Sequence, residues 1–335
     1  MSEMNLLIMN QSELACFLPG RRQREVEELI APCCVIDAEM MEPEEWAELL
    51  ARHNPKVIVG GWSLPQLPDG VSWMAPRLEY LCYVPGTVRD KVSCKMIEKG
   101  LLVTNWGRSI SRTVAECALL LGLSCVRRSG YWNDRMHHHG EWKDDFVTTK
   151  SLFDRRVGIH GYGAIAKELI RLLSVFTSKV TVFSDGVPKG VFDYDGVECS
   201  DSLNSLFSEN DVIFEVEALT PERVGVVDEA LLRSIPEGGA FVNVARGDLV
   251  ESKGLLNVAK EGRLQIGLDV FNEEPLPATH GLRGCMNVML SPHIAGPTTD
   301  RMVDAGDHAI ENLKRFCRGE AVVGPITPEV YERLT

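Results

Sequence analysis

Short apolar runs alternate with amphipathic stretches along the whole chain. Residues 4–9, 35–36, 57–59, 78–84 and 101–104 read as buried strands, and 13–17, 24–30, 43–50 and 91–99 carry helical spacing. A second series has strands at 157–159, 179–183, 211–216, 240–244, 265–270 and 288–290. Helices follow from Ile165, Asp228 and Lys253, and 302–316 reads as the final helix. Strands alternating with helices predict an α/β fold of parallel sheets covered on both faces. Residues 113–128 are apolar nearly all round: Val114, Ala118, Leu121 and Cys125 mark one face, Leu119, Leu120 and Leu123 another. Such a helix is expected to be buried between domains or subunits.

The strand at 157–159 runs into Gly161, Gly163 and Ala166, the spacing G-x-G-x-x-G/A. Gly161 permits a tight turn, Gly163 lets a pyrophosphate approach the backbone, and Ala166 lets helix and strand pack closely. Tyr162, Ala164 and Ile165 complete the loop and helix start, whose N–H groups suit phosphates. Ser184 and Asp185 end the next strand, roughly where an acid that binds the adenosine ribose is expected. Asp185 favours NAD; Ser184, with Lys189 close in sequence, leaves NADP open. The bland alternative is a glycine-rich turn in an ordinary βαβ unit.

Ligands of open parallel sheets bind beyond the C-terminal ends of strands. Arg246, Glu274 and His293 all stand just past such ends. An arginine forks onto a carboxylate, a histidine passes a proton near neutral pH, and a glutamate beside it holds the ring and favours its charged form. With a nicotinamide these are the parts for hydride transfer to a 2-keto acid. Singly, Arg246 also reads as a helix cap, Glu274 as a surface acid and His293 as a packed loop histidine.

Residues 242–250 (VNVARGDLV), 267–277 (GLDVFNEEPLP) and 291–296 (SPHIAG), with Val114-Ala115-Glu116 and Leu219-Thr220-Pro221-Glu222, resemble the D-isomer-specific 2-hydroxyacid dehydrogenases. The resemblance runs from about residue 78 to 318; residues 1–77 fit in rhythm only. It implies two Rossmann-like or flavodoxin-like parallel-sheet domains with the active site in the cleft between them. A substrate domain would be built from residues 1–117 and 301–335, and an NAD(P)-binding domain from 118–300. It implies Arg246 as the substrate-orienting residue, Glu274 as the partner of the histidine and His293 as acid/base. Ala245 and Asp269 would lie against the cofactor, Asp269 at the nicotinamide carboxamide. Val84, Pro85, Gly86 and Thr87 would hold the substrate carboxylate; Pro85 has no N–H, so Gly86 and Thr87 are the donors. This chain departs from the pattern at Ser184, Val216, Ala218, Arg108 and His160, where the family usually has an acid, a histidine, a proline or cysteine, a glycine and an aliphatic residue. The C-terminal-binding corepressors share the fold and these catalytic residues, so an NAD(H)-sensing binding protein is the alternative to an enzyme.

At 335 residues two domains are expected, and 44% hydrophobic with 25% charged residues suits a soluble globular chain. The net charge of -13 argues against nucleic acid or an anionic membrane as partner. Neither a signal peptide nor a run of roughly 20 apolar residues is read, so a cytoplasmic protein is expected. The ten cysteines hold one adjacent pair, Cys33-Cys34, and no C-x-x-C, which suits reduced, buried thiols. His137, His138 and His139 read as a solvated face, since adjacent helical positions diverge by about 100° and cannot all ligate one metal. A homodimer through 113–128 is expected. Trp62 and Trp106, with Arg108 and Arg112, suggest a bulky substrate or one with a second polar group, against the plainer reading of packed tryptophans and solvated arginines; Tyr83 and Val84 belong to the same specificity region.

Overall fold

The structure, a computed structural model described for residues 3–143, 146–188, 190–192 and 196–333, divides into two compact units. Met1–Ile110 and Pro297–Thr335 form the first, Ser111–Gly296 the second. The chain opens with β1 (Asn5–Ile8), α1 (Gln11–Phe17), α2 (Arg22–Leu29), β2 (Cys33–Ile36), α3 (Pro43–His53) and β3 (Val57–Gly60). It continues through α4 (Val71–Met74), β4 (Tyr80–Tyr83), α5 (Cys94–Glu98) and β5 (Leu102–Thr104). The second unit runs α6 (Ser111–Arg127), α7 (Ser129–His139), β6 (Val157–His160), α8 (Ala164–Leu173), β7 (Val180–Phe183), β8 (Glu198–Cys199) and α9 (Leu203–Glu209). It ends with β9 (Val212–Glu215), α10 (Glu229–Ser234), β10 (Ala240–Asn243), α11 (Ser252–Glu261), β11 (Gln265–Leu268) and β12 (Val288–Leu290). Helices α12 (Met302–Cys317) and α13 (Pro328–Arg333) belong again to the first unit.

The first unit holds a parallel sheet of order β2-β1-β3-β4-β5. Successive strand residues point to opposite faces and meet separate cores. Leu7, Val57, Val59, Tyr80 and Cys82 pack with Ile310 and Leu313 of α12. Leu6, Ile8, Ile58, Leu81 and Val103 pack with Trp46 and Leu50 of α3. Each apolar side chain fully removed from water contributes about 1.5–3 kcal/mol, so both faces must be covered.

The second unit holds a parallel sheet of order β12-β11-β10-β9-β6-β7-β8. The path along the sheet reverses between β6 and β9, which creates a switch point at their C-terminal ends. Helix α8 starts there and buries Ala166, Leu169, Ile170 and Leu173, one helical face. Helix α6 covers the sheet with Val114, Ala118, Leu121 and Cys125, all buried. Its Gly122 stands against the Phe214 ring, and Leu121 and Cys125 against Gly267.

Several expectations change. The domain joint at 117/118 would cut α6, one continuous helix, whereas the compact units part at its first residue. The second joint falls at 296/297 rather than 300/301. Within this chain α6 is buried on one face only, since Leu120 is 60% exposed. Helix α5 is shorter than 91–99, because residues 88–92 form a turn whose Lys91 ammonium donates to the Trp62 carbonyl at 3.1 Å. The chain does not end its helices with α12. The short β8, α9 and α13 lack a long apolar pattern, although Ser202 caps α9 by accepting from Ser205 N at 3.0 Å. All ten cysteines are free; Cys82 and Cys125 are buried, Cys317 is exposed and the others are half-buried, so burial is not general among them. Among the described residues no helix is long and apolar enough to cross a membrane.

Candidate functional site

The charged and glycine positions read from the sequence fall at the C-terminal ends of strands of the second unit. Gly161 follows β6 with φ 105°, a conformation that favours glycine. A Cβ on it would lie 2.7 Å from the backbone of Glu217, so a side chain there is excluded. Gly163 caps α8 in extended conformation, and a Cβ on it would meet nothing within 4 Å. A pyrophosphate therefore has room over the helix N-terminus, where unpaired N–H groups and the helix dipole favour an anion. These residues fit a dinucleotide. Ala164 and Ile165 open the helix. Tyr162 packs on Phe192 with ring centroids 4.6 Å apart and donates to the Val191 carbonyl at 3.3 Å, while Lys167 lies over its ring.

Beyond the neighbouring strands β10, β11 and β12 stands the expected catalytic set. His293 Nδ1 lies 2.7 Å from Glu274 Oε2. Glu274 Oε1 accepts from Phe271 N at 2.9 Å, so the carboxylate is fixed by its own loop. Both side chains are partly open to solvent. His293 has φ 55°, the left-handed region, uncommon for a residue with a side chain. Arg246 follows β10, and its NH1 donates to the Ala245 carbonyl at 2.6 Å. Burial pulls its guanidinium below the ordinary arginine value, and the nearby Glu274 carboxylate opposes that shift. It stays charged at neutral pH, as arginine does. Asn243 holds this turn: its Oδ1 accepts from Ala245 N at 2.9 Å and its Nδ2 donates to the Arg246 carbonyl at 2.9 Å.

Asp269, assigned by resemblance to the nicotinamide carboxamide, is fully buried. Its Oδ1 accepts from the Ser291 hydroxyl and from Ile294 N at 3.0 Å, and its Oδ2 from Ala295 N at 2.8 Å. These residues flank His293, so Asp269 anchors the histidine loop, a role not apparent from the sequence.

At the ribose end, Asp185 is exposed in the turn after β7. Ser184 Oγ instead donates to Glu217 Oε2 at 2.9 Å. Glu217 Oε1 accepts from Ala218 N at 2.9 Å and lies 3.4 Å from Arg223 NH1. Behind it His160 Nδ1 donates to Glu215 Oε2 at 2.6 Å, and both residues are buried. Burial pushes the His160 imidazole down, but the charge and hydrogen bond of Glu215, together with the charge of Glu217, make the net direction up. Sequence reasoning missed Glu215 and Glu217; its one signal was the histidine in place of an aliphatic residue. Lys189 lies outside the described residues.

In the first unit, Val84 and Pro85 are buried, Gly86 is packed on Trp106, and Thr87 is exposed. Asn105 Nδ2 donates to the Gly86 carbonyl at 2.6 Å, and the Gly86 and Thr87 N–H groups donate to none of the described residues. Tyr83 is buried, Trp62 packs tilted against Phe17 with ring centroids 4.7 Å apart, and Arg108 and Arg112 are exposed. His138 and His139 face Asp134 at 3.1 and 3.4 Å.

The family model for the NAD binding domain of D-isomer specific 2-hydroxyacid dehydrogenases matches residues 119–295. A glyoxylate/hydroxypyruvate reductase of Arabidopsis thaliana is 32% identical over 241 residues, 71% of this chain and 72% of that one. The D-3-phosphoglycerate dehydrogenase of Methanocaldococcus jannaschii is 30% identical over 224 residues, 67% of this chain, and the match spans 42% of its own length. The NAD-complexed crystal structure of a D-isomer specific 2-hydroxyacid dehydrogenase from Lactobacillus delbrueckii ssp. bulgaricus shares the fold, with TM-score 0.80 at 16% identity, covering 97% of this chain and 100% of that one.

Proposed function

The chain belongs to the D-isomer specific 2-hydroxyacid dehydrogenases, NAD-dependent oxidoreductases, and from that premise we propose that Arg246, Glu274 and His293 carry out 2-keto acid reduction and its reverse. The observation that carries this reading is the His293–Glu274 hydrogen bond, set beyond the strands beside the half-buried Arg246. Glu274 accepts a hydrogen bond from Nδ1–H, so Nε2 is the atom left to face the substrate. In reduction Nε2 gives its proton to the carbonyl oxygen; in oxidation neutral Nε2 takes the hydroxyl proton. Bound NADH supplies the hydride. Arg246 pairs with the keto acid and polarises its carbonyl, and its partial desolvation strengthens that attraction. Gly86 and Thr87 offer N–H groups to the substrate carboxylate. The second unit serves as the nucleotide domain and the first as the substrate domain.

The substrate class we favour is a small 2-keto acid with a further polar group, as in hydroxypyruvate, the class that the Arabidopsis relative's name carries. Purified protein with NADH and a panel of glyoxylate, hydroxypyruvate, pyruvate and larger keto acids tests it. Turnover is expected, greatest with hydroxypyruvate. Cofactor binding without turnover on any keto acid would return the chain to the sensor reading. The ten free thiols suit the reducing cytoplasm. We also propose a homodimer, since Leu120, Met136, Trp142 and Phe146 of the second unit leave apolar surface exposed. A 37.2 kDa species in light scattering at micromolar concentration would overturn that assembly.

A further inference from the structure

We infer that Glu217, rather than Asp185, reads the adenosine ribose hydroxyls and makes this protein selective for NAD over NADP; the inference rests on the NAD-binding reading of the second unit. In dinucleotide folds an acid at the end of the second strand accepts from those hydroxyls. Here that strand end carries Ser184, whose hydroxyl donates to Glu217 Oε2 at 2.9 Å. The carboxylate missing from β7 is thus delivered to the same place from the end of β9.

The backbone fixes it there. Glu217 N donates to Glu215 Oε1 at 3.0 Å, and Glu215 is itself bonded to His160 at the end of β6. Gly161, lacking a Cβ, lets the backbone at 217 approach the turn that fits the pyrophosphate. The phosphate cradle and the acid are therefore adjacent, as the phosphate and ribose of one nucleotide are. Each carboxylate oxygen has two lone pairs, so Oε2 keeps acceptor capacity beside Ser184. Glu217 is 8% exposed, which strengthens a charge-assisted hydrogen bond and the repulsion of a 2′-phosphate. Arg223 keeps the carboxylate paired from its Oε1 side.

The test is direct binding, by calorimetric titration of the full chain with NADH and NADPH without keto acid, and with ADP-ribose and its 2′-phosphate as fragments. The wild type is expected to bind NADH roughly tenfold tighter than NADPH or more. Glu217→Gln keeps size and the hydrogen bond to Ala218, yet weakens NADH and ADP-ribose roughly tenfold, with NADPH unchanged or tighter. Adding Ser184→Asp to Glu217→Gln puts an acid on the strand end and restores the preference for NADH, which also shows that the single variant folds. If Asp185→Asn causes the loss and Glu217→Gln does not, the inference is wrong. NADPH binding tighter in the wild type, and lost in Arg223→Ala, also overturns it, because Arg223 would then be the reader. A wild type that binds neither cofactor overturns the NAD-binding reading together with the inference.

Discussion

Two histidine–glutamate pairs stand at strand ends of the second unit. His293 and Glu274 are separated by 2.7 Å, His160 and Glu215 by 2.6 Å. The bond is the same and the surroundings are opposite. The first pair sits on loops, with side chains 46% and 33% exposed, where a proton can reach solvent or substrate. The second bridges β6 and β9 with 4% and 0% exposed. A charge pair there gains little net stability over apolar packing, but removing one partner strands the other in a poor solvent. Proximity of imidazole and carboxylate therefore does not define a catalytic dyad; access and an aimed second nitrogen do. We assign the exposed pair to proton transfer and the buried one to holding two strand ends in register.

The largest expected effect is on turnover. His293→Asn is expected to lower kcat/KM by roughly 10²–10⁴ in both directions while the melting temperature stays within about 2 °C of wild type. Near-normal turnover with a collapsed melting temperature would erase the contrast. Next, Glu215→Ala is expected to cost about 3–5 kcal/mol in urea denaturation, since it leaves His160 buried without its carboxylate. A loss below about 1 kcal/mol would show that water or rearrangement compensates. Glu274→Gln removes one charge-assisted hydrogen bond, about 1.5–3 kcal/mol, so kcat/KM is expected to fall roughly 10- to 100-fold with stability unchanged.

The smallest effect is in the pH dependence of stability. Glu215, with help from Glu217 and against Arg223 and burial, raises the His160 pKa above its ordinary value. A folded pKa above the unfolded one gives stabilisation that is full below the unfolded value and lost as pH rises through the folded one. The melting temperature is expected to decline by a few degrees over a window above the ordinary histidine value of 6.5. The double variant His160→Leu/Glu215→Leu removes both charges and is expected to lose that decline. An identical profile for wild type and double variant would place the titration elsewhere.

The strands were legible because Val157, Ile159, Phe241, Val242 and their like form short apolar runs between polar stretches, which only a sheet covered on both faces buries. Arg246, Glu274 and His293 were legible because each follows such a run. Glu215 and Glu217 were not. Local pattern shows acids at a strand end, but not that β9 lies beside β6, which the reversal of strand order decides. The anchoring role of Asp269 was hidden for the same reason, since its partners lie on the next strand's loop. Helix α9 had a readable Ser202 cap, but seven residues give too little periodicity to outweigh a loop.

The left-handed backbone at His293 bears on how this position can be varied. Asparagine and glycine visit that region at low cost, whereas valine, isoleucine and threonine do not. A library randomised at 293 would therefore be filtered twice, first by backbone tolerance and then by chemistry. Inactive β-branched members would report a displaced loop rather than the absence of an imidazole. Only asparagine and glycine, expressed beside the parent, isolate what the ring contributes.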